Sequence, residues 1–182
     1  MIITNMAKAI IDHIEPELIK EDYKLENSNH EFVPVKLFES YLPIRSANER
    51  REKYKENDFE ARREEHKKVS ETEESESYDI DTEDIPCIII RPLSGTESVE
   101  KANAKVKLIF ITYSEDSDGF KNCLNLMESV RRILTTNTLI AGEYIYKRTL
   151  SWRLFEDQPW PYWYSEMDID IEYGYYEDNN YY

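Results

Sequence analysis

Apolar residues recur along this chain at two spacings, and the switches between them outline its elements. Ile3, Met6, Ala7, Ile10, Ile11 and Ile14 stand three and four apart, which places one apolar stripe on an N-terminal helix. Pro16 sets the expected end of that helix. The segment Phe32-Val33-Pro34-Val35-Lys36-Leu37-Phe38 reads either as a short strand or as an extended packing segment, and Pro34 confines any strand there to a sheet edge. Ile85 to Arg91 is a continuous apolar run between prolines, as expected of a strand covered on both faces. Leu93 to Ala104 predicts an extended hairpin loop, and Lys105 to Tyr113 a second strand. Phe120, Cys123, Leu124, Met127, Val130 and Leu134 then return to helical spacing, with Asp116 or Ser117 as the expected N-cap and Arg131 and Arg132 near the negative end of the dipole.

The chain closes with two long strands. The third, Tyr144 to Phe155, carries Tyr144, Tyr146, Leu150, Trp152 and Leu154 on one face, interrupted by Arg148. In the fourth, Tyr164 to Tyr173, Met167, Ile169, Ile171 and Tyr173 alternate with Glu166, Asp168, Asp170 and Glu172. The predicted fold is therefore α+β: a mainly antiparallel four-stranded sheet with helices packed on one face. Its order is helix, charged insertion, strand, strand, helix, strand, strand, within a single domain of 182 residues.

Composition changes this picture in one place. Residues 46–84 form a charged insertion. From Glu49 to Lys68 seven acids and eight bases allow i,i+4 pairing on an exposed helix. Ser70 to Asp84 holds eight acids and no base, which predicts a flexible acidic linker. The tail, Gly174 to Tyr182, is acidic and aromatic. A net charge of −15 opposes non-specific binding to nucleic acid or to an anionic membrane, and suits a surface that lets DNA pass without holding it. The opening residues lack a basic leader before an apolar core, and no run approaches the length of a membrane span.

Candidate chemistry is thin. Asp116-Ser117-Asp118-Gly119 begins like a calcium loop, but Phe120 and Met127 occupy the fifth and twelfth positions where ligands are needed, so it reads as a turn. His13, His30 and His66 are far apart, and Cys87 and Cys123 sit in apolar patterns as small buried residues of a reduced protein. Four scattered glycines make no phosphate loop. No catalytic residue, metal site or cofactor is expected, and the chain does not read as an enzyme. Two surfaces stand out instead. Glu166, Asp168, Asp170 and Glu172 line one strand face, which reads as a salt-bridged face with Lys147 and Arg153 as partners, as a subunit interface or ring lumen, or as a divalent-metal site. Trp160, Tyr162, Trp163 and Tyr164, beside Pro159 and Pro161, either form an interface or cover the end of the sheet within one subunit.

Five pieces of sequence carry a family resemblance: Ile10-Ile11 in the first helix, Ile85-Pro86-Cys87-Ile88-Ile89-Ile90, Ile111-Thr112-Tyr113-Ser114, Gly119-Phe120, and Gln158-Pro159-Trp160-Pro161-Tyr162. In this order they resemble the tail terminator, or tail completion, proteins of long-tailed bacteriophages. The resemblance covers the first helix and residues 85–173, and residues 17–84 depart from it. It implies a structural virion protein made in the host cytoplasm and located at the neck end of the tail. Such a protein forms a homo-hexameric ring on the head-proximal end of the tail tube, stops tube polymerisation and allows head joining. The implied partners are further copies of the chain, the tail tube protein and a head-side neck or connector protein, with DNA passing through unbound. The alternatives are a head-side neck or connector protein, or an acidic adaptor or inhibitor of a basic protein.

Overall fold

A computed structural model describes residues 2–42, 84–98 and 102–174, all within one compact unit. The expected insertion over residues 46–84, apart from Asp84, and the tail beyond Gly174 lie outside the described residues. Asp84 itself is buried and accepts a 2.9 Å hydrogen bond from Lys36 Nζ, so the expected flexible linker does not extend to it.

Helix α1 spans Ile2–Lys20 and buries Met6, Ala7, Ile10, Ile14 and Leu18 along one stripe. Pro16 lies inside it and does not end it. Its ring removes one backbone bond on the exposed side, while Ile14 and Leu18 on either side stay anchored in the core. The helix stops at Asp22, whose φ of 50° turns the chain left-handed. Asp22 N–H then bonds Ile19 O and Tyr23 N–H bonds Leu18 O, both at 3.0 Å, closing the last turn as a C-cap glycine usually does.

A small hairpin follows, β1 (Lys24–Glu26) against β2 (Phe32–Pro34), with Leu25 opposite Val33. The side chain of Asn27 holds its turn by accepting the N–H groups of Asn29 and Glu31. Val35 breaks the line, and β3 (Lys36–Glu39) joins a different sheet, running parallel to β4 with Leu37 opposite Ile88.

Among the described residues the main sheet has six strands, in the order β3, β4 (Cys87–Glu97), β5 (Ala102–Tyr113), β8 (Tyr162–Tyr173), β7 (Tyr144–Leu154) and β6 (Leu139–Ile140), and all pairings but β3–β4 are antiparallel. The α+β architecture with a mainly antiparallel sheet is thus present, but the expected four strands and their order are corrected by β3 and the two-residue β6 (Leu139–Ile140) at the edges, and by the β1–β2 hairpin. The expected loop after Arg91 is also shorter. Strand β4 runs Cys87–Glu97 and β5 runs Ala102–Tyr113, with a bulge after Pro92 in which Leu93 is the extra residue. Strands β7 (Tyr144–Leu154) and β8 (Tyr162–Tyr173) complete the sheet. Their register slips between Tyr146 and Leu150, where Arg148 adopts φ 59°. This bulge explains why Arg148 interrupts the apolar face, since two extra residues are absorbed before the alternation resumes.

Both helices cover one face. Ile88 and Ile90, the even positions of β5 from Ala102 to Phe110, and Met167, Ile169, Ile171 and Tyr173 of β8 form that face's core with α1 and α2 (Phe120–Thr136). From α2 come Cys123, Leu126, Met127, Val130, Ile133 and Leu134. Sequence pointed to Asp116 or Ser117 as the N-cap of this helix, but Gly119 occupies that position without a side-chain bond. The reason lies at one end of the sheet, where Trp163 folds over the helix start. Trp163 Nε1 donates to Ser114 O at 3.0 Å, Ser114 N–H donates to Pro161 O at 3.0 Å, and Phe120 meets the indole with centroids 6.1 Å apart. A Cβ on Gly119 would overlap the indole and lie 2.7 Å from Ser114 Cβ. Arg131 and Arg132 pair with Glu128 and Glu21, each at 2.8 Å or less, rather than with the helix end.

Gly119→Ala should therefore lower stability by about 1–3 kcal/mol through forced movement of Trp163. Thermal unfolding followed by indole fluorescence reads both the loss and the displaced ring; an unchanged midpoint would show that the corner yields freely.

Candidate functional site

The face of the sheet away from α1 and α2 collects charges because strand alternation sends every second side chain there. Glu166, Asp168, Asp170 and Glu172 of β8 stand in one row, opposite Ile109, Lys107, Lys105 and Asn103 of β5. On the other side Arg153 and Ser151 of β7 oppose Glu166 and Asp168. Glu166 is the centre. It is 6% exposed, Lys107 Nζ lies 2.7 Å from one carboxylate oxygen, and Arg153 Nε lies 2.5 Å from the other. Burial alone would raise its carboxyl, but hydrogen bonds from Lys107 and Arg153 outweigh that and hold it below the ordinary value. Lys107 also reaches Asp168 at 3.7 Å, and Lys147 pairs with Glu172. Lys107, Arg153, Glu166, Asp168, Ser151 and Trp152 line a shallow depression of about 290 Å³.

The salt-bridged arrangement was legible in part. Arg153 and Lys147 do meet the row, as the two-strand reading expected. Lys107, the cation with the most buried position, comes from the other neighbouring strand. Its signal was the polar alternation of Asn103, Lys105 and Lys107 with Ala104, Val106 and Leu108, which points at the same face. Four carboxylates face Lys105, Lys107, Lys147 and Arg153, so the row is charge-balanced rather than an acidic stripe.

The aromatic segment divides. Trp163 belongs to the corner described above. Tyr162 packs on Tyr113 at 5.6 Å, and Tyr164 is more than half buried, which pushes its phenol up to about 12. Trp160, 64% exposed, is the ring of this group left to meet a partner.

Among the described residues no three His, Cys, Asp or Glu side chains converge to hold a metal ion. Asp118 is paired with Lys121, His13 bonds Asn137 O, and His30 bonds Glu26; His66 lies outside the described residues. Cys87 and Cys123 are free and buried, and burial raises their thiols to about 12 and about 11. Among the described residues no helix is long and apolar enough to cross a membrane. No protein-family model matches the chain, and no curated protein sequence matches it.

Because Glu166 titrates lower in the folded protein, its pairing stabilises fully above the unfolded carboxyl's pKa, about 4.3, and this is lost as pH falls through the lower folded value. Glu166→Gln should cost about 1–3 kcal/mol near neutrality. That cost should shrink below about pH 4. Urea unfolding of both proteins from acid to neutral pH tests this; a difference that does not vary with pH would remove the ion pair as its cause.

Proposed function

We propose that this chain is a structural virion assembly protein that forms a ring on the head-proximal end of a phage tail tube. The ring stops tube polymerisation and offers the surface to which the head joins. Its partners are further copies of itself, the tail tube protein and a head-side neck protein, and DNA passes through without specific binding. The protein is made in the host cytoplasm and ends at the neck of the virion tail.

One observation carries the reading. Tyr113-Ser114 and Gly119-Phe120, two neighbouring motifs of the resemblance, meet a third, Pro159-Trp160-Pro161, some forty residues further along the chain in one packed corner. There Ser114 bonds both Pro161 and Trp163, and Gly119 leaves room for the indole. Motifs that are individually weak act here as one structural unit, which supports taking them together. A sheet with both described helices on one face, and the opposite face charged and balanced, further suits a protein-contact module. That balance favours a contact with the tube or a neighbouring subunit over a bare acidic lumen for Glu166, Asp168, Asp170 and Glu172.

Particles assembled without this chain should carry overlong tails of uneven length, measured by negative-stain microscopy. Tails of normal length that fail to join heads would move the protein to the head-side neck. Intact, infectious particles would overturn both placements and favour the adaptor reading.

A further inference from the structure

Among the described residues the main sheet ends in two open edges that differ in kind. At one, β6 pairs with β7 at Tyr144 and Ile145, and Thr138 O accepts the N–H of Tyr146 at 2.8 Å. Beyond the bulge, residues 150–154 pair with β8 alone among the described residues. Phe155 N–H bonds Tyr164 O, which turns the odd positions toward β8. By alternation, the N–H and C=O groups of Leu150, Trp152 and Leu154 face outward. Trp152 opposes Met167, so its side chain stands on the helix-bearing face, where it is 56% exposed.

At the other edge, β3 pairs with β4 alone among the described residues. Lys36 N–H bonds Pro86 O and Ser40 N–H bonds Ile90 O, so the even positions face β4 and the backbone groups of Leu37 face outward. Leu37 opposes Ile88 and therefore lies on the same helix-bearing face. Beside it runs a groove of about 870 Å³ between β3 and the end of α1, lined chiefly by Leu18, Ile19, Tyr23, Val35, Leu37 and Phe38. Ile19 is 66% exposed at its rim. The rim's lysines are already matched, Lys24 with Asp22 at 2.7 Å and Lys36 with Asp84 at 2.9 Å. Such a groove suits an uncharged aromatic ring better than an ionic partner.

We propose that copies of this chain join edge to edge, the outer edge of β7 in one copy pairing with the outer edge of β3 in the next. Trp152 of the first copy then seats in the groove of the second. Continuing one sheet through both copies keeps the helix-bearing faces on the same side, so the exposed ring arrives where the groove lies. Open strand edges with apolar neighbours are templates for such pairing, and a buried Trp is the residue type that most often dominates an interface. The contact is heterologous and repeats from copy to copy until the rotation closes it. For that closure the inference rests on the ring reading above.

The test mixes two full-length variants, Trp152→Cys and Ile19→Cys, under mild oxidation at the highest soluble concentration. Native Cys87 and Cys123 are buried and do not compete. The mixture should yield a disulfide-linked pair of unlike variants, well above the linkage either gives alone. Trp152→Ala should weaken self-association about tenfold or more in sedimentation, with the unfolding midpoint little changed because the ring is exposed. No mixed linkage, or equal linkage within each variant alone, would overturn the proposal. Mixed linkage together with normal tails in particles lacking the chain would keep this contact and discard the tail-tube reading; overlong tails without mixed linkage would do the reverse.

Discussion

Strand β8 is hydrogen-bonded along both edges and has work for both of its faces, and the rest of the molecule is arranged around that double demand. Met167, Ile169, Ile171 and Tyr173 must be covered, which draws α1 and α2 to one side. Glu166, Asp168, Asp170 and Glu172 must be neutralised, which draws cations from β5 and β7 to the other. A slip of one residue in the β5–β8 ladder would exchange these faces, placing four carboxylates against Leu108 and Phe110. The charge row thus enforces register as strongly as the apolar row does. A buried Glu166 stripped of Lys107 and Arg153 would be costly, so the ion pairs select the alignment more than they add net stability.

Where a segment's structure follows from its own spacing, the sequence discloses it. The stripe of α1, the helix α2 and the alternation of β8 are all local periodicities, and each stands where the pattern places it. What stays hidden depends on partners far along the chain. The parallel pairing of Lys36–Glu39 with Cys87–Ile90 spans the whole charged insertion, and four residues beside a proline carry no signal of it. Pro16 misleads for a related reason: its local cost is real, but buried Leu18 and the left-handed Asp22 decide where the helix ends. The start of α2 is likewise set from a distance. Good capping residues are available at Asp116 and Ser117, yet the helix begins at Gly119 because Trp163 occupies the space a side chain would need.

The same distinction applies to the candidate surfaces. The carboxylate row and its pairing with Lys147 and Arg153 could be read directly, but Lys107, the innermost cation, approaches from the strand on the other side. Four aromatic rings in five residues looked like a single feature, and tertiary packing separates them. Trp163 serves the corner at the helix start, Tyr162 packs on Tyr113, Tyr164 is largely buried, and of the four Trp160 projects most. Trp152, unremarkable in its alternating strand, is more exposed than any of those three because it lies beyond the bulge at Arg148.

These placements bear on how such a module could build a larger assembly. Among the described residues the core takes up most of the aliphatic side chains, and the large apolar ones left exposed are scattered rather than gathered on one broad face. What is left is backbone: two sheet edges with outward N–H and C=O groups, one bearing an exposed ring and the other an apolar groove. Backbone pairing is insensitive to side-chain identity, whereas the ring and groove differ between the two edges and so give the contact a direction. A directional contact built from one sheet's two unlike edges is what a repeating, head-to-tail assembly needs. It leaves the balanced charged face free for a different partner, because edge pairing consumes neither face of the sheet.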